Sequence, residues 1–524
     1  MGRDGVDRAR RLPLHARKDA PVIHPIEQDN DQLTRDRPSL RLHRGREVGM
    51  GGREAAASVI GRPVSAGDAA IPRKLLVIAS RFPPVASVGA IRIRKFVKYL
   101  REHGWESVVV TGAQRQPQPS SEDARRACDL SSLQDVPADL EVHRLGPNAD
   151  DGPRRWSREL GALIGIPGSL VGCDAQRCTD WLAWRMQALG ERLAFPDRGI
   201  WRTSEAVRLA VALHRRHAFD AIFSSGMPFS DHVIALQVQA RLRRPWVADF
   251  RDPWVEYIHW PQWTTRLGAG LTRLAEAAVI WRAAAVVSVN DHMTRRFSER
   301  YRRAAGKFVT IENGFDPGDF PAAPQAARRE FQLLYAGSLY GQRGPDTVLA
   351  AFRRFVERTP GSASHARFDF IGRVGPFADR FDRAEDAGRV RYLGMKPHRE
   401  AMEAMAGASA NVVLLPRTAG GEGDSTAKIY ECIGIGRPIL AVVPSGGEAA
   451  RLLEGMAGAQ VCEPDDAEAI SRGIGVLYTR WLAGADHVSH PADRLVAMTR
   501  QHQAGCLAGV LNRVVGRRAG KGAV

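Results

Sequence analysis

From Lys74 onward, short continuous apolar runs alternate with longer segments whose apolar residues recur every three or four positions. KLLVIAS is the first run. IRIRKFVKYLREHG follows with Ile93, Phe96, Val97 and Leu100 at i, i+3, i+4 and i+7, the stripe of an amphipathic helix. Gly104 stands where such a helix would stop, and SVVVTG is the next run. An uninterrupted apolar run reads as a strand buried on both faces, so the alternation predicts a parallel sheet covered by helices. After a less regular region it resumes with AIFSS, DHVIALQVQARLR, WVADF, LTRLAEAAVIWRA, AVVSVN, HMTRRFSERYRR and FVTIENG. A second series starts at FQLLYAGS and continues through DTVLAAFRRFVERT, RFDFIG, VRYLG, REAMEAMAGA, NVVLLP, STAKIYECIGI, PILAVV, GGEAARLLEGM, AQVCE and DAEAISRGIGVLY. Two doubly wound α/β domains are expected, with ligands in the crevice outside the carboxyl ends of their strands.

These textures divide the chain. Residues 1–72 are rich in Arg, Asp, Gly and Pro and have no apolar periodicity. They read as a disordered tail or as sequence upstream of the true start, with Met50 an alternative start. Residues 73–314 form the first domain, with an insertion at about 113–200 that contains the helix-like TDWLAWRMQALGERLA. FDPGDFPAAPQAA opens a proline-rich linker over 315–330. Residues 331–495 form the second domain, and 496–524 a C-terminal helix and tail.

Composition narrows the classes. Apolar residues make up 44% of the 524 positions, which fits a folded protein of more than one domain. The net charge of +17 comes overwhelmingly from arginine, as a GC-rich coding bias would give. No nucleic-acid motif accompanies it, so nucleic acid is not an expected partner. The six cysteines are scattered without a CxxC, which indicates neither zinc site nor disulfide framework and fits a reducing cytoplasm. No apolar run approaches the roughly 18 residues that a membrane span needs. LGALIGIPGSLVG (160–172) is short and broken by Pro167. The N-terminus lacks the apolar core of a secretory signal.

Two stretches carry candidate chemistry. In GGEGDSTAKIYECIGIGRPILAVVPSGGE (420–448) a glycine-rich loop opens a helix that Ser425 or Thr426 can cap. Exposed N–H groups and the helix dipole there favour phosphate. Lys428 lies one turn inside, and Glu431 one turn further, where a carboxylate could accept two ribose hydroxyls. The alternative is a surface ion pair at i, i+3 behind a merely mobile loop. The second stretch, DFRDPW, closes the run WVADF. Arg251 can pair with Asp249 or Asp252, leaving the other carboxylate for an acceptor hydroxyl, or all three can form a structural clamp.

Two Rossmann-like domains with SxxKxYExxGxGRPxL in the second resemble the GT-B glycosyltransferases of family 4. The resemblance extends from Lys74 to about Trp481. It rests on RFPPVASVGAIRIRKFVKYLREHGW, SSGMPFSDHVIA, WVADFRDPW, TIENGFD, LYAGSLYGQRGPDTVL and KIYECIGIGRPILAVVP, in the family's order. It implies transfer of a sugar from a nucleotide diphosphate sugar to an acceptor, with retention and without a required metal or resident cofactor. Glu431 matches the second glutamate of the family's E-x7-E pattern, which contacts the donor ribose. The first glutamate falls at Gly423, with Asp424 one residue away.

The same resemblance places other residues. Arg343 stands near a basic position of the family and would clamp the diphosphate, with Ser338 and the Gly337 backbone beside it; otherwise it is a solvated loop arginine. Gly89 lies in the loop that approaches the diphosphate and acceptor. Arg92 would meet an acceptor phosphate or solvent. His232 corresponds loosely to a first-domain histidine near the donor sugar, or is structural. Arg343, Glu431 and His232 are thus the catalytic candidates. Gly89, Gly337, Ser338, Arg343, Ser425, Thr426, Lys428 and Glu431 are expected on the donor side, and Arg92, Asp249, Arg251 and Asp252 on the acceptor side. The expected partners are the nucleotide-sugar donor and a glycan or lipid-linked envelope acceptor, reached from the cytoplasm by peripheral contact with an anionic membrane. A nucleotide-sugar epimerase is a competing reading, although no convincing acid/base set is present. A nucleotide-binding scaffold without turnover is another, given the missing first glutamate. A nicotinamide dehydrogenase is disfavoured because no G-x-G-x-x-G follows KLLVIA.

Overall fold

A computed structural model of the chain describes residues 71–85, 87–112, 129–146, 195–256, 266–321, 330–381, 383, 386, 388–418 and 421–519. The tail, the segment 160–172 and the helix expected at TDWLAWRMQALGERLA lie outside the described residues.

The first sheet is all parallel. Its strands are β1 (Arg73–Ile78), β2 (Trp105–Thr111), β3 (Glu141–Arg144), β4 (Ala221–Gly226), β5 (Trp246–Phe250), β6 (Ala285–Ser288) and β7 (Phe308–Thr310), in the order β3-β2-β1-β4-β5-β6-β7. The second contains β8 (Phe331–Ala336), β9 (Ala366–Ile371), β10 (Val390–Tyr392), β11 (Ala410–Leu414), β12 (Ile439–Val442) and β13 (Ala459–Cys462), in the order β10-β9-β8-β11-β12-β13. Each order reverses once, between β1 and β4 and between β8 and β11. Both crevices outside these reversals are therefore built by loops at the carboxyl ends of central strands.

Helices cover both faces because the central strands are apolar on both. In the first domain, Val77, Val109, Val247 and Val287 face α1 (Val88–Leu100), while Ile78, Val110, Ala248 and Val286 face the opposite core. That opposite core is covered by α2 (Thr203–His217), α3 (Ser230–Leu242), α4 (Arg266–Arg282) and α5 (Asp291–Arg300). Ser87 caps α1 by accepting from the Ala90 N–H at 3.2 Å, and Asn290 caps α5 by accepting from Met293 at 2.8 Å. Each such cap contributes about 1 kcal/mol. In the second domain, α6 (Asp346–Arg358) lies on one face. On the other lie α7 (His398–Gly407), α8 (Ala427–Ile435) and α9 (Glu448–Leu453). Later in the chain, α10 (Ala467–Leu482) joins α6 on its face.

Three features add to the expected domain map. The region treated as an insertion contains β3, an edge strand whose residues are only partly buried. The last helix, α11 (Arg500–Ala519), returns to the first domain, where Leu507, Leu511 and Val514 join the core under α1. The start of the expected linker is packed: Phe315 is 4% exposed and stacks on Phe320 at 5.5 Å.

Candidate functional site

Alternation along the strands decides which side chains meet at the first crevice. Asp249 and Ser225, neighbours in register on β5 and β4, turn toward α1. Ser224 turns the other way, toward α3. On the α1 side, Arg92 and Asp249 form a fully buried ion pair. Arg92 donates to both Asp249 oxygens at 3.2 and 2.9 Å, to the Ile311 and Glu312 carbonyls at 2.8 and 2.7 Å, and to Asn313 at 3.5 Å. Asp249 also accepts from Ser225 Oγ at 2.7 Å. All of the guanidinium donors are engaged, which leaves none for an acceptor phosphate. Arg92 is a clamp that ties α1 and β5 to the segment after β7, not an open acceptor contact. Of the two carboxylates open to Arg251 within DFRDPW, Asp249 thus pairs instead with an arginine 157 positions away.

Arg251 takes a different position. It donates to the Gly226 carbonyl at 2.9 Å and to the Met227 carbonyl, so it holds the loop after β4. Its guanidinium lies over Gly89, where a Cβ would come within 1.7 Å of Nη1. Glycine at 89 thus lets the loop after β1 close on the arginine. Burial lowers the pKa of Arg251; nearby Asp252 and Asp249 oppose that shift, while Arg81 and Arg92 add to it. Asp252 is half-buried.

His232 is fully buried on the α3 side and stacks on Phe250 with ring centres 4.5 Å apart. Trp246 donates to Ser224 Oγ at 2.9 Å, and the same oxygen shares a hydrogen bond of 2.8 Å with His232 Nδ1. His232 Nε2 faces Gly226 and has no hydrogen-bond partner among the described residues. Burial pushes His232 down to about 3, and it pushes the adjacent Asp231 up to about 6, although Arg202 and Ser80 pull that carboxyl back. The two shifts act oppositely on stability. Between pH 6.5 and 4 the unfolded chain binds a proton at His232 that the folded chain refuses. Over about pH 4 to 6 the folded chain keeps a proton at Asp231 that the unfolded chain releases. The pair therefore nearly cancels in the parent protein. Relative to the parent, Asp231→Asn should lose roughly 2 to 3 kcal/mol as pH falls from 6.5 to 4, and His232→Asn should gain a similar amount over the same range. Urea unfolding across this range checks both signs.

The second crevice is assembled by the loops after β8 and β11. Gly337 donates to the Ile371 carbonyl at 2.9 Å, and a Cβ on Gly372 would lie 2.0 Å from the Gly337 carbonyl oxygen. The two backbones thus touch, and Ser338 projects, exposed, beyond them. Arg343 is half-buried with its guanidinium 5.0 Å from the Tyr340 ring centre. It also lies against Tyr335, whose hydroxyl burial pushes up to about 12 while Arg343 pulls it back. Arg343 Nε is buried without a hydrogen-bond partner among the described residues. Across the strand reversal, half-buried Ser425 precedes Thr426, which caps α8 by accepting from the Lys428 N–H at 3.4 Å. Lys428 Nζ lies 2.7 Å from Glu431, which is 8% exposed. Burial opposes ionisation of Glu431, but Lys428, His398 and Arg500 together hold its pKa below the usual glutamate value. The ion pair read as an alternative in the sequence is therefore present, with a deeply set carboxylate. The glycines that follow serve packing: a Cβ on Gly434 would strike the Phe315 ring at 2.6 Å, and Gly436 ends α8 in the left-handed conformation at φ 72°.

A buried polar layer joins the two crevices, and most of it was not legible in the sequence. Lys95 is about as buried as Arg92 and sits among Asp135, Asp316 and Asp319, at 2.6 and 2.7 Å from the last two. These carboxylates would suit a metal ion by spacing, but the ammonium already occupies their centre. Asp319 is also 3.5 Å from His398. Arg500, at the start of α11, donates to Asn313 at 3.3 Å. Burial, with Arg92 nearby, lowers it to about 10. Asn290 donates to the Gly423 carbonyl at 2.9 Å and brings the glycine-rich loop against α5. The first-glutamate position is thus a glycine that lies 2.6 Å, at its Cβ direction, from the His292 ring, while Glu422 and Asp424 on either side are exposed. One signal could have revealed Lys95: it is one of two lysines in α1 of a chain that otherwise prefers arginine.

No family model and no curated protein matches the chain. Solved structures do. A sucrose-phosphate synthase from Thermosynechococcus elongatus superposes with a TM-score of 0.52 at 15% identity, covering 86% of this chain and 100% of its own. A glycosyltransferase from Rickettsia africae ESF-5 gives 0.52 at 10% identity, covering 85% and 98%. An α,α-trehalose 6-phosphate synthase from Burkholderia multivorans gives 0.51 at 14% identity, covering 86% and 98%. Together with the two parallel sheets, these likenesses show the fold: it is GT-B, two Rossmann-like doubly wound domains facing each other across a cleft.

Proposed function

We propose that the protein is a retaining glycosyltransferase that resembles family 4 and moves a sugar from a nucleotide diphosphate sugar to a glycan or lipid-linked envelope precursor. One observation carries this reading. Thr426 caps α8, and Lys428 and Glu431 stand on it, at the strand-order reversal of the second sheet, opposite the loop that bears Gly337, Ser338 and Arg343. A helix N-terminus with two cations flanking it suits a diphosphate. A carboxylate one turn in suits a ribose diol, whose hydroxyls would share Glu431 with Lys428. The acceptor would approach the first-domain edge formed by Gly89, Arg251 and Asp252. Arg92 and Asp249 hold that edge from behind. His232, neutral and packed on Gly226, would shape it through the loop after β4. With retention the leaving diphosphate can take the acceptor proton, so charge stabilisation is the main demand on the protein.

Glu431→Gln tests the donor side. It should weaken binding of the preferred nucleoside diphosphate by roughly 1 to 3 kcal/mol, measured by calorimetry over a base panel. Equal affinity in the variant would remove Glu431 from the site. Gly423 at the first-glutamate position favours a second reading, a nucleotide-binding scaffold. A parent protein that binds nucleotide but neither hydrolyses nor transfers the donor sugar would support it.

A further inference from the structure

Helix α4 faces the wrong way for a helix in water. Its core side carries Thr272, Glu276, Val279 and Ile280. Glu276 is fully buried and accepts from the Val255 N–H at 2.9 Å, the Tyr301 hydroxyl at 2.9 Å and Arg300 at 3.1 Å. The solvent side carries Leu267, Leu271, Leu274 and Trp281, exposed by 75, 42, 69 and 47%. With half-buried Ala278 they fall at i, i+4, i+7, i+11 and i+14, one continuous stripe diametrically opposite the buried residues. The stripe is about 21 Å long at the helical rise per residue. Its margins are cationic: Arg282 borders one side, Arg266 and Arg273 the other, and all three are exposed. The helix's single acid, Glu276, points inward.

We infer that this stripe docks the protein on an anionic lipid surface. Leucines and a tryptophan would sink into the headgroup boundary while the bordering guanidiniums meet lipid phosphates. Charge selects this occupant over a second copy of the chain. A two-fold contact through the stripe would set the arginine margins of one copy against those of the other. No helix among the described residues is long and apolar enough to cross a membrane, so the contact is peripheral. Topology gives it a purpose. A helix that follows β5 in a parallel sheet starts at the carboxyl edge, so the Leu267 end lies at the cleft side. The surface goes beyond the transferase reading, because neither donor nor acceptor residues lie on it.

Flotation of the full chain with vesicles of phosphatidylcholine alone, or of equimolar phosphatidylcholine and phosphatidylglycerol, tests the inference. The parent should float with the anionic vesicles, much less with the neutral ones, and should be released by salt. Leu271→Glu and Leu274→Glu should each weaken partitioning by about tenfold or more. The triple change Arg266→Gln, Arg273→Gln, Arg282→Gln should weaken it by roughly fivefold per arginine. Nucleotide affinity should stay unchanged in all of them, which separates this test from that of the transferase. Absence of flotation, or leucine variants that float like the parent, overturns the proposal. So does a concentration-dependent dimer in light scattering that the leucine variants dissolve, because a second copy would then cover the face.

Discussion

Arg92→Met should lower the free energy of unfolding by about 3 to 5 kcal/mol, because it strands the Asp249 carboxylate in the interior. Methionine keeps most of the apolar stem but not the guanidinium, whose carbon lies 4.7 Å from the Phe96 ring centre, so the loss reports the charge, its hydrogen bonds and this cation–π contact. It also leaves the Ile311 and Glu312 carbonyls without the donors they have now. Adding Asp249→Asn to Arg92→Met removes the buried charge and should recover part of the loss, with a coupling energy that a double-mutant cycle resolves. Chemical denaturation of the single and double variants gives the numbers. If Arg92 instead met the acceptor, Arg92→Met would keep its stability and raise only the acceptor KM. That outcome would overturn the clamp assignment.

The clamp also shows where sequence reading stops. The strands and most of the helices were legible because burial on both sheet faces writes continuous apolar runs and helical stripes into the chain. β3 was not, since Glu141–Arg144 is a half-buried edge strand with a polar composition. A C-terminal helix was expected within 496–524, but that expectation does not name the surface the helix will cover, so the return of α11 to α1 was not legible. The partner of Asp249 was hidden for a related reason. Adjacency in DFRDPW points to Arg251, whereas strand alternation turns Asp249 toward α1 and leaves Arg251 to the loop after β4. Lys95 was invisible as a centre because its three carboxylates come from two segments, Asp135 from one and Asp316 with Asp319 from another, both far from it in the chain. At the candidate site, the motif around α8 was readable as a helix start with Lys428 and Glu431 one turn apart. That Gly434 serves to seat Phe315 could emerge only from the packing.

Lys95 and its carboxylates bear on how the two domains are joined. A lysine has three rotatable donors and a compact charge, which suits three convergent acceptors better than a planar guanidinium does. The linker aspartates Asp316 and Asp319 thereby fasten the start of the second domain to α1, and Phe315 fastens the same segment to α8. The polypeptide crosses between the domains again at Arg500, where the Phe315 carbonyl accepts from the Arg500 N–H at 2.8 Å. Both crossings lie together, so relative motion of the domains would pivot on this layer while the two crevices change their separation.

Arg343→Ala should lower turnover by roughly 10²-fold or more while changing nucleotide affinity far less, if the protein is a transferase. The physical reason is timing. Negative charge grows on the leaving diphosphate as the glycosidic bond breaks, so a preorganised cation stabilises the transition state more than the bound donor. Arg343 is preorganised by its stacking on Tyr340 and its contact with Tyr335, and Nε offers a donor that no described residue uses. The stacking contributes only about 0.5 to 1 kcal/mol at a partly exposed site, so the variant should remain folded. Arg343→Lys should restore only part of the rate, since an ammonium cannot grip two oxygens as a planar fork does. Donor hydrolysis and transfer rates, set beside calorimetric affinity for the nucleoside diphosphate, separate the outcomes. A loss of affinity that matches the loss of rate would make Arg343 a ground-state binding residue. Unchanged rate and affinity would return it to solvent as a loop arginine and shift the diphosphate to Lys428 and the N-terminus of α8.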